Sequence, residues 1–456
     1  MERVSEREFD VVVIGMGPGA EYVADELAKA GVPVAGVEDR LVGGECPYWG
    51  CIPSKMMIRA ANLLTEGRRI SGMAGAAVVS PSWAPVAKRI RDEATDDWDD
   101  KVAADRFTGL GGTLLRGHAR ITAPGEVTVG DDVLRARRGI VIGTGTAPAI
   151  PPIDGLAGTP CWTNREAVET EDVPRSLLIL GGGSVGAELG QVFARFGSAV
   201  TVIEAKPLLL PAEEPESGEL LAGVFGAEGI AVSTGTPAEL VRHDGDEFTV
   251  TLAGGRQFRA QRLLVATGRT TDLAGLGVGA IGLDEKARFI PVDERMQAAP
   301  GVWALGDVVG KGAFTHMSVY HGRIILGELL GRPRHPAEYH AVPRVTFTDP
   351  EIGRVGMTEA QARELHGDRV RTAVSQVPAS ARGWIHKAGN EGFIKLVIDS
   401  EDGVLVGATS AGPTGGEVLS MLTLAVHARI PVQRLTEMIY AYPTFHRAVE
   451  DALSQV

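Results

Sequence analysis

Cys46 and Cys51 stand five positions apart in the run Gly43-Gly44-Glu45-Cys46-Pro47-Tyr48-Trp49-Gly50-Cys51-Ile52-Pro53-Ser54-Lys55. Two thiols at this spacing can cycle between dithiol and disulfide. On an ideal helix, positions i and i+5 lie about 8–9 Å apart, whereas a disulfide needs Cα atoms about 4.4–6.8 Å apart. The run must therefore break its helix, and Pro47, Gly50 and Pro53 supply bend, freedom and fixed φ. A helix N-terminus is expected to favour the thiolate, because its unpaired N–H groups face the sulfur. The third cysteine, Cys161, has no partner left and reads as a small apolar residue.

Such a pair needs an electron source, and two glycine loops point to one. The apolar run Phe9–Ile14 leads into Gly15-Met16-Gly17-Pro18-Gly19-Ala20, a helical pattern, and a second apolar run ending at Glu38. The layout returns with Leu177–Leu180, Gly181-Gly182-Gly183-Ser184-Val185-Gly186, a helix, and a strand ending at Glu204. In both copies the acid lies 23 positions after the first glycine. Each is a βαβ dinucleotide fingerprint. The first glycine turns the chain, the second lets backbone approach a pyrophosphate, and the third position packs helix on strand. The acid meets the ribose hydroxyls. Further strands ending in Thr-Gly recur at Gly139–Gly145 and Leu263–Arg269, and Val302–Asp307 reads as a buried strand ending in an acid.

The bulk composition agrees with a nucleotide-binding α/β protein. The 456 residues predict about three domains, and 59 glycines imply many tight turns. A net charge of −13 argues against nucleic acid or an anionic membrane as partner. No uninterrupted apolar stretch is long enough to span a bilayer. The charge-rich first residues do not resemble a secretory signal. A cytoplasmic location is expected, where a lone cysteine pair is catalytic more often than structural. The segment Arg89–Arg106 carries mixed charges in a helical pattern and reads as a solvated helix.

In this order, the motifs resemble those of the class I flavin-dependent pyridine nucleotide–disulfide oxidoreductases, the family of dihydrolipoyl dehydrogenase, glutathione reductase and mercuric reductase. The resemblance covers nearly the whole chain. It implies an α/β architecture of two Rossmann-like domains, one for FAD and one for NAD(P)H, plus a C-terminal α+β dimerisation domain. The implied boundaries are 1–147 with 271–340 for FAD, 148–270 for NAD(P)H, and 341–456 for dimerisation. Val342–Glu351 and Gly392–Leu396 resemble segments of that last domain. A homodimer follows from the resemblance, with each active site completed by the partner's tail.

The resemblance also assigns roles. FAD would meet Gly15, Gly17, Gly19, Ala20, Glu38, Gly44, Lys55, Gly117, Thr144, Gly145, Asp307 and Thr315. NAD(P)H would meet Gly181, Gly183, Ser184, Val185, Gly186, Glu204 and Gly268. Glu204 favours NADH, because a 2′-phosphate would crowd its charge, and nearby Lys206 leaves NADPH as the less favoured choice. Electrons would pass from nicotinamide through flavin to the cysteine pair. Cys51 would lie against the flavin, Cys46 would be the more exposed interchange thiol, and Lys55 would pair with Glu188. No resident metal is expected.

One departure from the pattern concerns the acid–base couple. The family usually carries His-Pro-Thr with a glutamate five positions after the histidine. Here the run is Tyr442-Pro443-Thr444-Phe445-His446-Arg447, with tyrosine and arginine at those positions. A phenol titrates near 10 and a guanidinium stays charged, so neither supplies a base poised near neutrality. Tyr442 is retained as a site residue because mercuric reductases resemble this chain there. His446 reads as a surface histidine paired with Glu450 or Asp451. Tyr48 and Trp49 either shape the pocket or pack plainly. The expected acceptor is a specialised disulfide or another small electrophile, such as a quinone or metal ion. A flavin-only quinone or diaphorase-type reductase and a dihydrolipoyl dehydrogenase are the alternatives.

Overall fold

A computed structural model describes residues 5–332 and 334–456. Packing divides the chain into two units, each built from several segments.

The first unit holds the chain through Pro53, Lys88–Ala149 and Arg269–Glu338. Its sheet places Val302–Ala304, Asp132–Ile142, Ser5–Ile14, Val34–Glu38 and Thr113–Arg116 side by side and parallel. An antiparallel ribbon of Ala119–Ala123 and Glu126–Val129 continues from Asp132–Ile142. Val11, Val12, Val13, Ile140, Val141 and Ile142 are fully buried, as the unbroken β-branched runs require of strands covered on both faces. The helix Pro18–Lys29 follows the first strand directly and packs its Val23, Ala24 and Leu27 into this core.

The second unit holds Ser54–Ala87, Ile150–Gly268 and Tyr339–Val456. A parallel sheet runs in the order Ala231–Thr234, Ala199–Glu204, Ser176–Leu180, Arg262–Val265. Beside it lies a three-stranded antiparallel sheet, Ala238–His243, Phe248–Leu252 and Gln257–Ala260. The tail forms a five-stranded antiparallel sheet ordered Pro343–Thr346, Glu351–Gly356, Val404–Gly412, Phe393–Asp399, Val370–Gln376. The helices Gly415–His427 and Arg447–Leu453 cover it with Leu419, Leu422, Val449 and Leu453. Within this unit the buried Lys395 ammonium meets Glu214 at 3.1 Å, Glu216 at 2.7 Å and Glu359 at 2.9 Å. Burial opposes its charge, yet these hydrogen bonds outweigh it and hold the ammonium above its ordinary pKa.

One sequence expectation changes at this level. The segment Arg89–Arg106 is not one solvated helix. A helix ends at Arg89, a π turn covers Ile90–Ala94, and Asp96, Asp97 and Trp98 adopt positive φ before a new helix Lys101–Gly109. The cause is Asp100, which turns inward to accept the Val42 N–H at 2.6 Å and a hydrogen bond from Arg116 at 2.7 Å. Among the described residues no helix is long and apolar enough to cross a membrane.

Candidate active site

The redox run folds as two helices rather than one. Glu45–Tyr48 forms a single turn, Trp49 leaves the helical region at φ −136°, and Cys51 opens a new helix to Arg69. An added Cβ on Gly50 would lie 3.0 Å from the Glu45 carbonyl oxygen, so glycine allows the chain to double back tightly. Tyr48 is buried and donates its hydroxyl to the Val42 carbonyl at 3.2 Å, a packing role beneath the turn.

Neither Cys46 nor Cys51 is in a disulfide, and the Thr315 hydroxyl lies 3.3 Å from the Cys51 sulfur. Among the protein's own atoms Cys51 is exposed and Cys46 part-buried, and Cys51 faces the space the flavin is expected to fill. Cys51 stands at the opening of its helix, whereas Cys46 sits inside the preceding turn. The expected lowering of a thiol pKa is not seen at Cys46. Its hydrogen bond with Cys51, aided by burial, pushes it well above the usual thiol range. Cys161 packs under the sheet containing Phe248 and Val250, and burial raises its thiol too.

The first glycine loop has the openings and contacts that a dinucleotide requires. Gly15 has φ +83°, and a Cβ there would meet the Gly143 carbonyl at 2.6 Å. Gly17 has nothing within 4 Å of a built Cβ, leaving room for a pyrophosphate at the helix N-terminus. Gly19 closes on Ser318, and the Ala20 methyl touches the Gly143 position. Gly44, at φ +64°, brings the redox loop against the Gly17 backbone; a side chain there would lie 2.9 Å from Gly17 Cα. Glu38 accepts the Met16 N–H at 2.7 Å and the Arg40 N–H at 2.9 Å, one on each oxygen. Burial raises its carboxyl despite those two donors. Gly117 donates its N–H to the Glu38 carbonyl at 3.0 Å and so lies beside the acid.

The second loop repeats the wiring. Gly182 donates to Glu204 at 2.7 Å and Lys206 donates to its other oxygen at 2.8 Å. Each oxygen keeps a lone pair for a ribose hydroxyl. Gly181, at φ +106°, packs on the Ala266 carbonyl, and a Cβ on Gly186 would lie 2.0 Å from the Gly181 oxygen. Gly183 has nothing within 4 Å, and Ser184 and Val185 are exposed at the start of their helix. Gly268 has φ +137° and open space around it. Both loops thus fit the dinucleotides their fingerprints imply.

Around Asp307 the structure adds residues that the motifs did not single out. Thr146 donates to Asp307 at 2.9 Å, and Arg269 grips Thr146 through its hydroxyl and carbonyl at 2.6 Å each. Arg269 also lies 3.6 Å from Glu45, next to Cys46. Burial raises the Asp307 carboxyl, and Thr146 and Arg269 partly offset it. Thr144 is exposed, and Gly145, at φ +64°, has open space. The only sequence signal for Thr146 and Arg269 was that each adjoins a strand-end Thr-Gly. Behind this turn, buried His321 accepts the Gly306 N–H at 3.2 Å through Nδ1. Burial lowers its pKa to about 4.

In the second unit Lys55 lies 2.9 Å from Glu188 and 4.6 Å from the Phe347 ring centroid. The other Glu188 oxygen accepts the Phe347 N–H at 2.8 Å. Tyr442 is exposed, with the Arg447 guanidinium 5.4 Å from its ring centroid. Glu450 pairs with Arg447 at 2.8 Å rather than with the exposed His446, which its sequence spacing had suggested. The arginine is three positions before Glu450, within reach along one helical face.

Two glycine-loop nucleotide folds, a close thiol pair and a separate antiparallel domain define an oxidoreductase that links dinucleotides to dithiol–disulfide exchange. Residues 9–322 match the pyridine nucleotide-disulphide oxidoreductase family and residues 342–453 match its dimerisation domain, and the chain belongs to this family. A mercuric reductase from Acidithiobacillus ferrooxidans is 33% identical over 96% of this chain and 81% of its own length. A dihydrolipoyl dehydrogenase from Thermus scotoductus is 34% identical over 98% of this chain and 97% of its own. The solved Cu(II) complex of the HOCl-induced flavoprotein disulfide reductase RclA from Escherichia coli superposes with a TM-score of 0.87 at 27% identity, covering 99% and 100% of the two chains. The protein is an oxidoreductase of a family that uses FAD and NAD(P)H.

Proposed function

We propose that this enzyme, as a homodimer, passes electrons from NADH through FAD to Cys46 and Cys51, and on to a disulfide or another thiol-reactive electrophile. The observation that carries the reading is the hydrogen-bonded pair of thiols, with the Thr315 hydroxyl 3.3 Å from Cys51. FAD, when bound, supplies two-electron transfer between nicotinamide and that pair. Glu38, Asp307 and the Gly15–Ala20 loop are the residues to hold it, and Glu204 with the Gly181–Gly186 loop those to hold NADH. The dithiol loses its protons as a coupled pair, and the Thr315 hydroxyl steadies the Cys51 sulfur. Arg269 ties the Thr146–Asp307 pair to the redox loop through Glu45. Glu188 fixes Lys55 while holding the Phe347 backbone.

Tyr442 and Arg447 stand where the family places its acid–base couple, so proton transfer to a departing thiolate is weak. General acid–base help is typically worth 10²–10⁴-fold, which disfavours dihydrolipoamide chemistry despite the named relative. The relatives called mercuric reductase and the Cu(II)-bound neighbour support an acceptor other than a lipoyl disulfide. The test is an anaerobic titration with NADH, following absorbance and alkylating the thiols for mass spectrometry. The reading expects the first two-electron equivalent to expose Cys46 and Cys51 to alkylation while the flavin stays oxidised. Bleached flavin with both cysteines unlabelled would establish a flavin-only reductase instead.

A further inference from the structure

We propose that the face around Tyr442, Phe445 and Arg447 is a fixed-charge cradle for a small anionic electron acceptor. The inference rests on the function proposed for the thiol pair, in which this tail closes the thiol site of the second subunit. Phe445 is the centre of the cluster. The Arg382 guanidinium carbon lies 5.6 Å from its ring centroid, and the His386 ring meets it edge-on at 5.6 Å. Arg447 sits over Tyr442 at 5.4 Å.

Local charge separates this face from the rest of the chain, whose net charge is −13. Arg447 shares its charge with Glu450 at 2.8 Å, and Asp451 follows Glu450 in the helix. Among the described residues neither Arg382 nor Lys387 has a carboxylate within ion-pair distance. Lys387 and His446 are exposed. Trp384 is 75% exposed and Tyr442 69%, so aromatic surface accompanies the cations. A guanidinium resting on an aromatic face is held in orientation, and its N–H edge is left to receive a carboxylate or sulfonate. The same charges repel a hydrated metal cation. They also do part of the work of a missing proton donor, because they steady a thiolate that leaves without protonation.

For a disulfide acceptor the step balances as follows. The reduced pair of Cys46 and Cys51, one sulfur as thiol and the other as thiolate, gives two electrons to the acceptor S–S bond. The Cys46–Cys51 bond forms as that bond breaks. Two acceptor thiolates leave, and the remaining thiol proton goes to solvent.

The experiment compares kcat/KM for 5,5′-dithiobis(2-nitrobenzoate), an anionic disulfide, with that for neutral 4,4′-dithiodipyridine, using the FAD-loaded dimer. Dividing one by the other, and variant by wild type, cancels intrinsic reactivity. Arg382→Gln is expected to lower the anionic-to-neutral ratio about tenfold, as loss of one nearby charge requires. Arg382→Lys should recover most of it. Raising salt should lower the wild-type ratio, because exposed charges are screened beyond about 8–10 Å at moderate ionic strength. A ratio unmoved by Arg382→Gln and by salt overturns the inference, while thiol labelling in the NADH titration reports separately whether the redox-pair proposal stands. If disulfides are not turned over, 1,4-naphthoquinone and its 2-sulfonate give the same ratio along the flavin route: a fall with Arg382→Gln and with salt supports the cradle, and an unmoved ratio overturns it.

Discussion

His321 couples the acidity of the medium to the turn that presents Asp307. Its Nδ1 accepts the Gly306 N–H at 3.2 Å, so the neutral ring carries its proton on Nε2. Protonating Nδ1 removes that acceptor and places a charge in a fully buried position. The folded-state pKa is about 4, below the unfolded value of 6.5. A histidine depressed in this way contributes no penalty above its unfolded pKa. As pH falls below 6.5 the open state takes up the proton first, and stability is lost until about pH 4. Linkage over that window gives about 2 kcal/mol between pH 7.5 and pH 5, a nearly 30-fold rise in opening. Hydrogen exchange of the peptide spanning residues 302–309 reads it directly, in the ligand-free chain and after correction for intrinsic chemical exchange. His321→Gln keeps an acceptor for Gly306 but does not titrate in this range, so its opening should stay nearly flat with pH. Equal pH dependence in wild type and His321→Gln would refute the reasoning.

Two further expectations concern packing and charge. Gly17→Ala adds a methyl where nothing lies within 4 Å, at φ −69°, whereas Gly186→Ala forces one to 2.0 Å from a carbonyl oxygen. The first should cost the ligand-free fold about 1 kcal/mol or less yet lower FAD content on purification; the second should destabilise by about 1–3 kcal/mol. Thermal melts beside flavin absorbance separate the two. Lys395→Met leaves Glu214, Glu216 and Glu359 without their shared cation, a loss of about 3–5 kcal/mol, and adding Glu214→Gln should return part of it in chemical denaturation.

The nucleotide folds were readable because their information is local and periodic. Gly15 and Gly181 needed positive φ, and the identical spacing to Glu38 and Glu204 fixed two βαβ units in register. The break in the redox run followed from bond geometry, since two thiols five apart on one straight helix cannot bond. Other features were set by partners far along the chain. Asp100 looks like one more charge in a polar segment, and its bonds to Val42, 58 residues away, and to Arg116 turn it inward. Thr146 and Arg269 lie 123 residues apart, and neither carries a pattern that announces the pairing. The raised Cys46 thiol was missed for a related reason. A helix N-terminus acts through a general field, whereas the neighbouring sulfur acts at hydrogen-bond distance and wins.

The matched wiring of Glu38 and Glu204 bears on how nucleotide choice evolves. Each carboxylate fastens its own glycine loop through two backbone amides, Met16 and Arg40 in one case, Gly182 and Lys206 in the other. Exchanging Glu204 for a residue that tolerates a 2′-phosphate would strand both amides at once. A lineage shifting from one coenzyme to the other would need to rebuild the loop in the same step or pass through a weakened intermediate. Changing Glu204 therefore disturbs the glycine loop as well as the ribose site, and a laboratory attempt to alter coenzyme binding should mutate the loop and the acid together.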